Sequence, residues 1–194
     1  MSRQIHLGLF MLGTGNHVAG WRMPGAHDSF QNLQQCIEVA RIAERGKFDL
    51  LFAGDGYGAQ PSQHPSYTVR LDPVPMFAAI ATATTHIGLG ATASTTYNDP
   101  YTIARSFASL DHISNGRAGW NAVTTAHRAS GQHFGRQHPD HEKRYEIAAE
   151  FIAVVKELWD CWDDDAIQAN HETGVYIDWS KVHPLNHHGA HFDV

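Results

Sequence analysis

Several short polar clusters in this 194-residue sequence stand where an apolar run gives way to a loop, a place where a folded chain presents side chains to a ligand. Gly54-Asp55-Gly56-Tyr57-Gly58 follows the run Phe48–Ala53 and offers one carboxylate between glycines, which let backbone approach a bound molecule. Thr92, Ser94, Thr95 and Thr96 gather at the end of the run that starts at Ile87, and Trp120-Asn121 followed by Thr124-Thr125 ends the run from Arg117. His17 stands in a Gly-rich loop behind the run Ile5–Leu12. His141 and Tyr145 are four residues apart near the start of a long helical pattern, so they share a face. Neutral hydrogen-bonding groups, a single carboxylate and several aromatics suit a polar, planar heterocycle better than a metal ion or a bare phosphate. Each feature also has a plainer structural role: Asp55 as a turn or cap residue, the threonines as strand formers, His141 and Tyr145 as helix surface.

Other chemistries find less support. The sequence holds 15 histidines, but His183, His187, His188 and His191 match no compact ligand spacing and have no cysteine nearby, so no metal site is expected. No G-x-S-x-G, P-loop or G-x-G-x-x-G follows a strand pattern, which removes the hydrolase, kinase and dinucleotide-fold readings. Cys36 and Cys161 are too few and too far apart for a disulfide framework, which points to a reducing cytoplasm. The formal charge of −6 comes without a basic cluster and argues against nucleic acid or an anionic membrane as partner. No apolar stretch approaches the roughly 20 residues that span a bilayer. The N-terminal MSRQIHLGLFML lacks the features of a secretory signal. With 42% hydrophobic and 18% charged residues the chain has ample side chain for a core.

The elements that must position these residues follow from periodicity. Strands are predicted at Ile5–Leu12, Phe48–Ala53, Ile87–Ser94 and Arg117–Thr124, the second of them apolar throughout as if buried on both faces. A helix capped by Ser29 carries Leu33, Ile37, Ala40 and Ala43 on its apolar side and stops at Gly46. Asp72-Pro73 and Asp99-Pro100 each pair a cap with a first-turn proline, opening helices to about Thr84 and to Asn115-Gly116. A long helix is expected from about Asp140 to Trp162, followed by an irregular excursion ending in one short extended segment. Four successive strand–helix units imply a parallel sheet with right-handed crossovers, either an open doubly wound sheet or part of a (β/α)8 barrel. A full barrel needs about 250 residues, so the α/β fold is read as the N-terminal half of a TIM-type barrel, about four units plus the start of an insertion, with residues 1–194 forming one domain portion and no second domain.

Taken in order and spacing, GKFDLLFAGD, GATASTTYNDPY, LDHISNGRAGWNAVTT, HFG, HEKRYEIAAEF, LWDCW and KVHPLNHHGAHFDV resemble the flavin-dependent monooxygenases of the bacterial luciferase-like superfamily. Within it they look like the branch of the nitrilotriacetate, dibenzothiophene-sulfone and long-chain-alkane monooxygenases. The resemblance implies a TIM barrel with an insertion and reduced FMN bound at the C-terminal mouth. It places the FMN contacts at Asp55, Thr92, Asn121, Thr125, His141 and Tyr145, and a substrate-proximal, proton-handling role at His17. It further implies O2 as co-substrate, a small organic substrate, a separate NAD(P)H:flavin reductase and assembly into homo-oligomers. Thr14 stands where the alkane enzymes have cysteine, which points away from alkanes, and Gly54 replaces the usual alanine before Asp55. Family members run well beyond this length and place the phosphate of FMN at late-strand loops. Residues 1–194 alone are therefore expected to bind flavin poorly and to self-associate. The competing expectations are a non-catalytic half-barrel module and a deazaflavin-dependent oxidoreductase.

Overall fold

The computed structural model describes residues 4–27, 30–58 and 64–194. Four strands, β1 (Gly8–Phe10), β2 (Leu50–Ala53), β3 (Gly88–Ser94) and β4 (Ala118–Val123), form one sheet in the order β1-β2-β3-β4, every pair parallel. Between and after them run α1 (Leu33–Arg45), the single turn α2 (Pro65–Thr68), α3 (Pro73–Ala81), α4 (Pro100–Ser114), the single turn α5 (Ser130–His133) and α6 (His141–Trp159). Sequential parallel neighbours with helices laid along one face are the arrangement of half a (β/α)8 barrel, as the alternating pattern predicts.

Local signals account for the helix starts. Asp72 accepts from the Val74 N–H at 2.9 Å, Asp99 from Tyr101 at 3.0 Å and Asp140 from Lys143 at 2.9 Å. A cap of this kind contributes about 1 kcal/mol. For α1 the cap is Asn32, which accepts from Gln35 N at 3.2 Å. Ser29, the cap expected from sequence, lies outside the described residues. Gly46 closes α1, yet the left-handed residue there is Lys47, at φ 61°. Asn115 (φ 59°) and Gly116 (φ 80°) end α4 as expected, their N–H groups bonding back to His112 and Asp111.

Several boundaries differ from the sequence reading: β2 starts at Leu50 rather than Phe48, and α6 stops at Trp159 rather than near Trp162. The expected strand Ile5–Leu12 shortens to β1, because the strand it pairs with, β2, is itself four residues long. Further bonds extend the pairing at either end, from Asp49 N and Leu50 N to Leu7 O and from Met11 N to Phe52 O. The helix after Asp72 stops at Ala81 rather than near Thr84. There the Arg117 guanidinium takes the carbonyls of Ala81, Thr84 and Ile87, and Thr84 Oγ1 turns back on Ile80 O. Past α6, the chain doubles back through three isolated antiparallel bridges, Trp162–Val182, Ile167–Ile177 and His188–Asp193, in place of one short extended segment.

The core lies between sheet and helices. Leu51, Ala53, Leu89 and Ala91 point to the helical side and are buried against Phe77, Ile80, Phe107, Leu110 and Phe151. Alternation then turns Phe10, Leu50 and Phe52 to the other side, where Phe10 and Leu50 are 41% and 38% exposed. Burial of the second strand on both faces, expected from its composition, is therefore corrected: its second face is the wall of the barrel interior. Asn121 and Thr92 sit on that same face at the strand ends, as register partners of β4 and β3.

Candidate functional site

A cleft of about 620 Å³ opens where β2 and β4 end, walled by Asp55, Tyr57, Arg70, Thr125, Tyr145 and the backbone of Gly54–Gly58. Asp55 leaves β2 and is met by Arg70, whose Nε lies 2.9 Å from Asp55 Oδ1 with the two side chains 13% and 18% exposed (Arg70 and Asp55). The same guanidinium donates through Nη2 to Gly56 O at 2.6 Å. Burial pushes the Asp55 carboxyl above the usual carboxylate range, while Arg70 and the Gly56 N–H pull it back down and nearby Asp72 pushes it further up.

Behind this floor, the strand-end hydroxyls and amide form a closed lattice. Thr92 Oγ1 donates to Ala53 O at 2.8 Å and accepts from Asn121 Nδ2 at 2.9 Å, so one side chain ties β2, β3 and β4 together. Its proton is spent inside the protein, and towards a ligand it offers at most a lone pair. Thr125 is buried, and its Oγ1 donates to Ser94 Oγ at 2.7 Å. Its backbone is left-handed at φ 51°, a conformation that costs a β-branched residue on the order of 1–3 kcal/mol and collects at functional sites.

An aromatic wall rises beside the cleft. Tyr57 meets Phe134 edge-on at 4.8 Å, and Phe134 stacks on Tyr97 at 4.5 Å and 10°. Tyr97 Oη lies 2.6 Å from His138 Nδ1, and Arg144 Nη1 lies 3.1 Å from His138 Nε2. A guanidinium only donates, so Nε2 must accept and the imidazole must be neutral with its proton on Nδ1, directed at Tyr97. Burial and the Arg144 charge accordingly push the His138 pKa down.

Of the seven residues singled out from sequence, Asp55, Thr125 and Tyr145 line the cleft. Thr92 stands beside a smaller cavity that it shares with Asp55 and Thr125, and Asn121 is bonded to it. His141 is exposed and lies against Tyr145, ring centroids 4.8 Å apart at 38°. His17 is not among the side chains lining the cleft; it sits exposed on the loop behind β1, where Nδ1 accepts from Ala19 N at 3.1 Å. Thr14, on the same loop, is buried with its hydroxyl 2.7 Å from Ser66 Oγ. Arg70 was missed by sequence reasoning, and so were Tyr67 and Ser130 on the cleft wall. Nothing in the local pattern around Arg70 marks it, because its partner is brought to it only by the fold. Among the described residues, no group of three or more His, Cys, Asp or Glu side chains is placed to hold a metal ion. Among the described residues, no helix is long and apolar enough to cross a membrane.

The cleft fits a flavin ring in kind. It is wide enough for a fused heterocycle, has tyrosine rings on its walls, and carries a carboxylate and backbone groups for a polar ring edge. Residues 9–194 match the family model described as luciferase-like monooxygenase. The chain is 50% identical over 194 residues to N-acetyl-S-(2-succino)cysteine monooxygenase of Bacillus subtilis (strain 168), covering 99% of this chain and 44% of that protein. It is 44% identical over 207 residues to nitrilotriacetate monooxygenase component A of Aminobacter aminovorans, covering all of this chain and 46% of the relative. Among solved structures, riboflavin lyase with modified FMN and its substrate riboflavin superposes with a TM-score of 0.90 at 35% identity, over 99% of this chain and 46% of that one. Long-chain alkane monooxygenase superposes with a TM-score of 0.87 at 34% identity, over 100% and 48%. The chain thus spans about half the length of the relatives it matches. With the half-barrel, the strand-end cleft and a family match over nearly every residue all in agreement, the chain belongs to the luciferase-like monooxygenase family.

Proposed function

We propose that this chain is part of a two-component monooxygenase that uses reduced FMN and O2 to place one oxygen atom on a small organic substrate. The reduced flavin would come from a separate NAD(P)H:flavin reductase. When bound, reduced flavin supplies the electrons that activate O2. The observation that carries the reading is the cleft at the β2 and β4 ends, whose Asp55–Arg70 floor and tyrosine walls match a heterocycle with one polar edge.

In this reading Asp55 accepts a hydrogen bond from a ring N–H, while Asn121 on β4 and Thr125 in the loop after it bound the ring. Thr92 keeps Asn121 oriented through the 2.9 Å bond between them. Tyr145, propped by His141, closes the rim and limits the water that reaches the ring. His17, on the loop behind β1, handles a proton at its imidazole when that loop folds over the mouth. Homo-oligomeric assembly and a cytoplasmic location, in keeping with the free Cys36 and Cys161, belong to the same proposal.

The test is reconstitution of a full barrel carrying this sequence with FMN, a flavin reductase and NADH. Oxygen consumed in step with an oxygenated product from a panel of thioether, amine and sulfone substrates is the expected result. Flavin binding without any oxygenated product across the panel would count against the activity, and binding of a deazaflavin in preference to FMN would replace the cofactor.

A further inference from the structure

Arg70 reaches the cleft from an extended segment whose backbone is anchored on both sides. It bridges Phe30 in parallel fashion on one side, and Asp72 caps α3 two residues later. Phe30 is itself buried against Gly13, where an added Cβ would come within 2.5 Å of it, so the segment has little room to shift. From this fixed base the planar guanidinium spans two acceptors on consecutive residues, Asp55 Oδ1 at 2.9 Å and Gly56 O at 2.6 Å. Both acceptors belong to the cleft lining, and so does Arg70.

We propose that Arg70 is a positioning residue for the ligand of this cleft, holding the Asp55 carboxylate and the Gly56 carbonyl as one rigid acceptor edge for a heterocyclic N–H. The inference rests on the flavin reading for the identity of that ligand. A guanidinium suits the task because its fork fixes direction as well as charge, whereas a lysine supplies a point charge that cannot hold both acceptors in one plane. Through Nε and Nη2 the guanidinium is engaged with the floor of the cleft itself.

The charges facing Asp55 determine what its loss would do. Arg70 is the cation beside it, Asp72 at the head of α3 opposes it, and Tyr57 adjoins it. His127, Tyr67 and Tyr145 complete the titratable groups of the cleft lining. Without Arg70, burial and Asp72 favour the protonated acid, opposed by the Gly56 N–H alone. A protonated carboxyl gives up part of its acceptor capacity, so ligand affinity should fall on acidification.

The experiment compares wild type, Arg70→Gln and Arg70→Lys in a full barrel carrying this sequence, by anaerobic calorimetric titration with reduced FMN from pH 5.5 to 8.5. Each variant is expressed as a ratio to wild type, so that ionisation of the FMN phosphate cancels. Arg70→Gln should weaken binding at least tenfold at the acid end and less at the alkaline end. Arg70→Lys should recover the wild-type pH profile but only part of the affinity, a split that a purely structural arginine does not produce. A parallel carbon-13 titration of the Asp55 carboxyl without flavin should show its pKa rising in Arg70→Gln and near wild type in Arg70→Lys. Wild-type affinity and profile in Arg70→Gln, or an unmoved Asp55 titration, overturns the proposal. A barrel that binds no flavin while Arg70→Gln still lifts the Asp55 titration contradicts the flavin reading and upholds Arg70's hold on the carboxylate.

Discussion

Thr125 donates to Ser94 Oγ across 2.7 Å from a backbone at φ 51°, so a strained residue of the loop just past β4 is fixed to the end of β3 at the wall of the cleft. Alanine at 125 removes the bond and keeps the strain, whereas glycine removes both. Thr125→Gly should therefore be more stable than Thr125→Ala by about 1 kcal/mol, the reverse of the usual order at a non-glycine position. Urea unfolding of the two variants checks this, and equal midpoints would mean that the left-handed backbone carries no cost there.

The Asp55–Arg70 pair changes what is expected of Asp55. As a flavin contact alone, Asp55 could be removed with stability nearly untouched and only flavin binding affected. With a guanidinium left unpaired in a largely buried floor, Asp55→Ala should instead cost roughly 1–3 kcal/mol as well as weakening reduced-FMN binding. Arg70→Ala should add little to it in a double-mutant cycle. Strict additivity of the two unfolding energies would sever the pair.

Glu44 gives the fold an acid-sensitive joint. Its Oε1 accepts from the N–H groups of Thr85, His86 and Ile87 at 2.8, 2.6 and 3.1 Å, fastening the end of α1 to the entry of β3. Burial alone would raise the Glu44 carboxyl, but these amides outweigh it and hold the carboxyl below its ordinary range. A depressed folded-state pKa contributes stability above the unfolded value, near 4.3, that is lost as pH falls through the folded one. Glu44→Gln should lower stability by roughly 1 kcal/mol at pH 7 and by progressively less towards pH 3. A constant deficit across that range would show that charge is not involved.

His141 and Tyr145 form a ring pair at 4.8 Å, with only Tyr145 reaching the cleft. Tyr145→Ala should weaken reduced-FMN binding more than His141→Ala does. The two should be coupled by about 0.5–1.5 kcal/mol, since His141 acts by holding the phenol ring. Equal single losses with no coupling would place both on the ligand independently.

These relationships differ in how far they can be read from sequence. Caps at Asp72, Asp99 and Asp140 are legible because each acts within one turn of the chain. The gathering of Asp55, Thr92 and Thr125 at one edge is legible because parallel strands deliver their C-terminal ends there. What escapes is whatever depends on distant segments meeting. Arg70 finds Asp55 fifteen residues away through an unremarkable extended stretch. The Thr125 backbone conformation leaves no mark in residue type, since threonine is a poor occupant of it. Leu50 and Phe52 look like a doubly buried strand because apolar side chains facing a barrel interior and apolar side chains facing helices read alike.

The most direct test of a flavin site at the ends of β2 and β4 is amide hydrogen exchange in a full barrel carrying this sequence, with and without saturating reduced FMN under anaerobic conditions. Slowed exchange centred on Gly54–Gly58 and Thr124–His127, absent from the Trp162–Val182 excursion and reduced in Asp55→Asn, is the expected result. Unchanged exchange at both loops on saturation, or protection centred elsewhere on the chain, would contradict it.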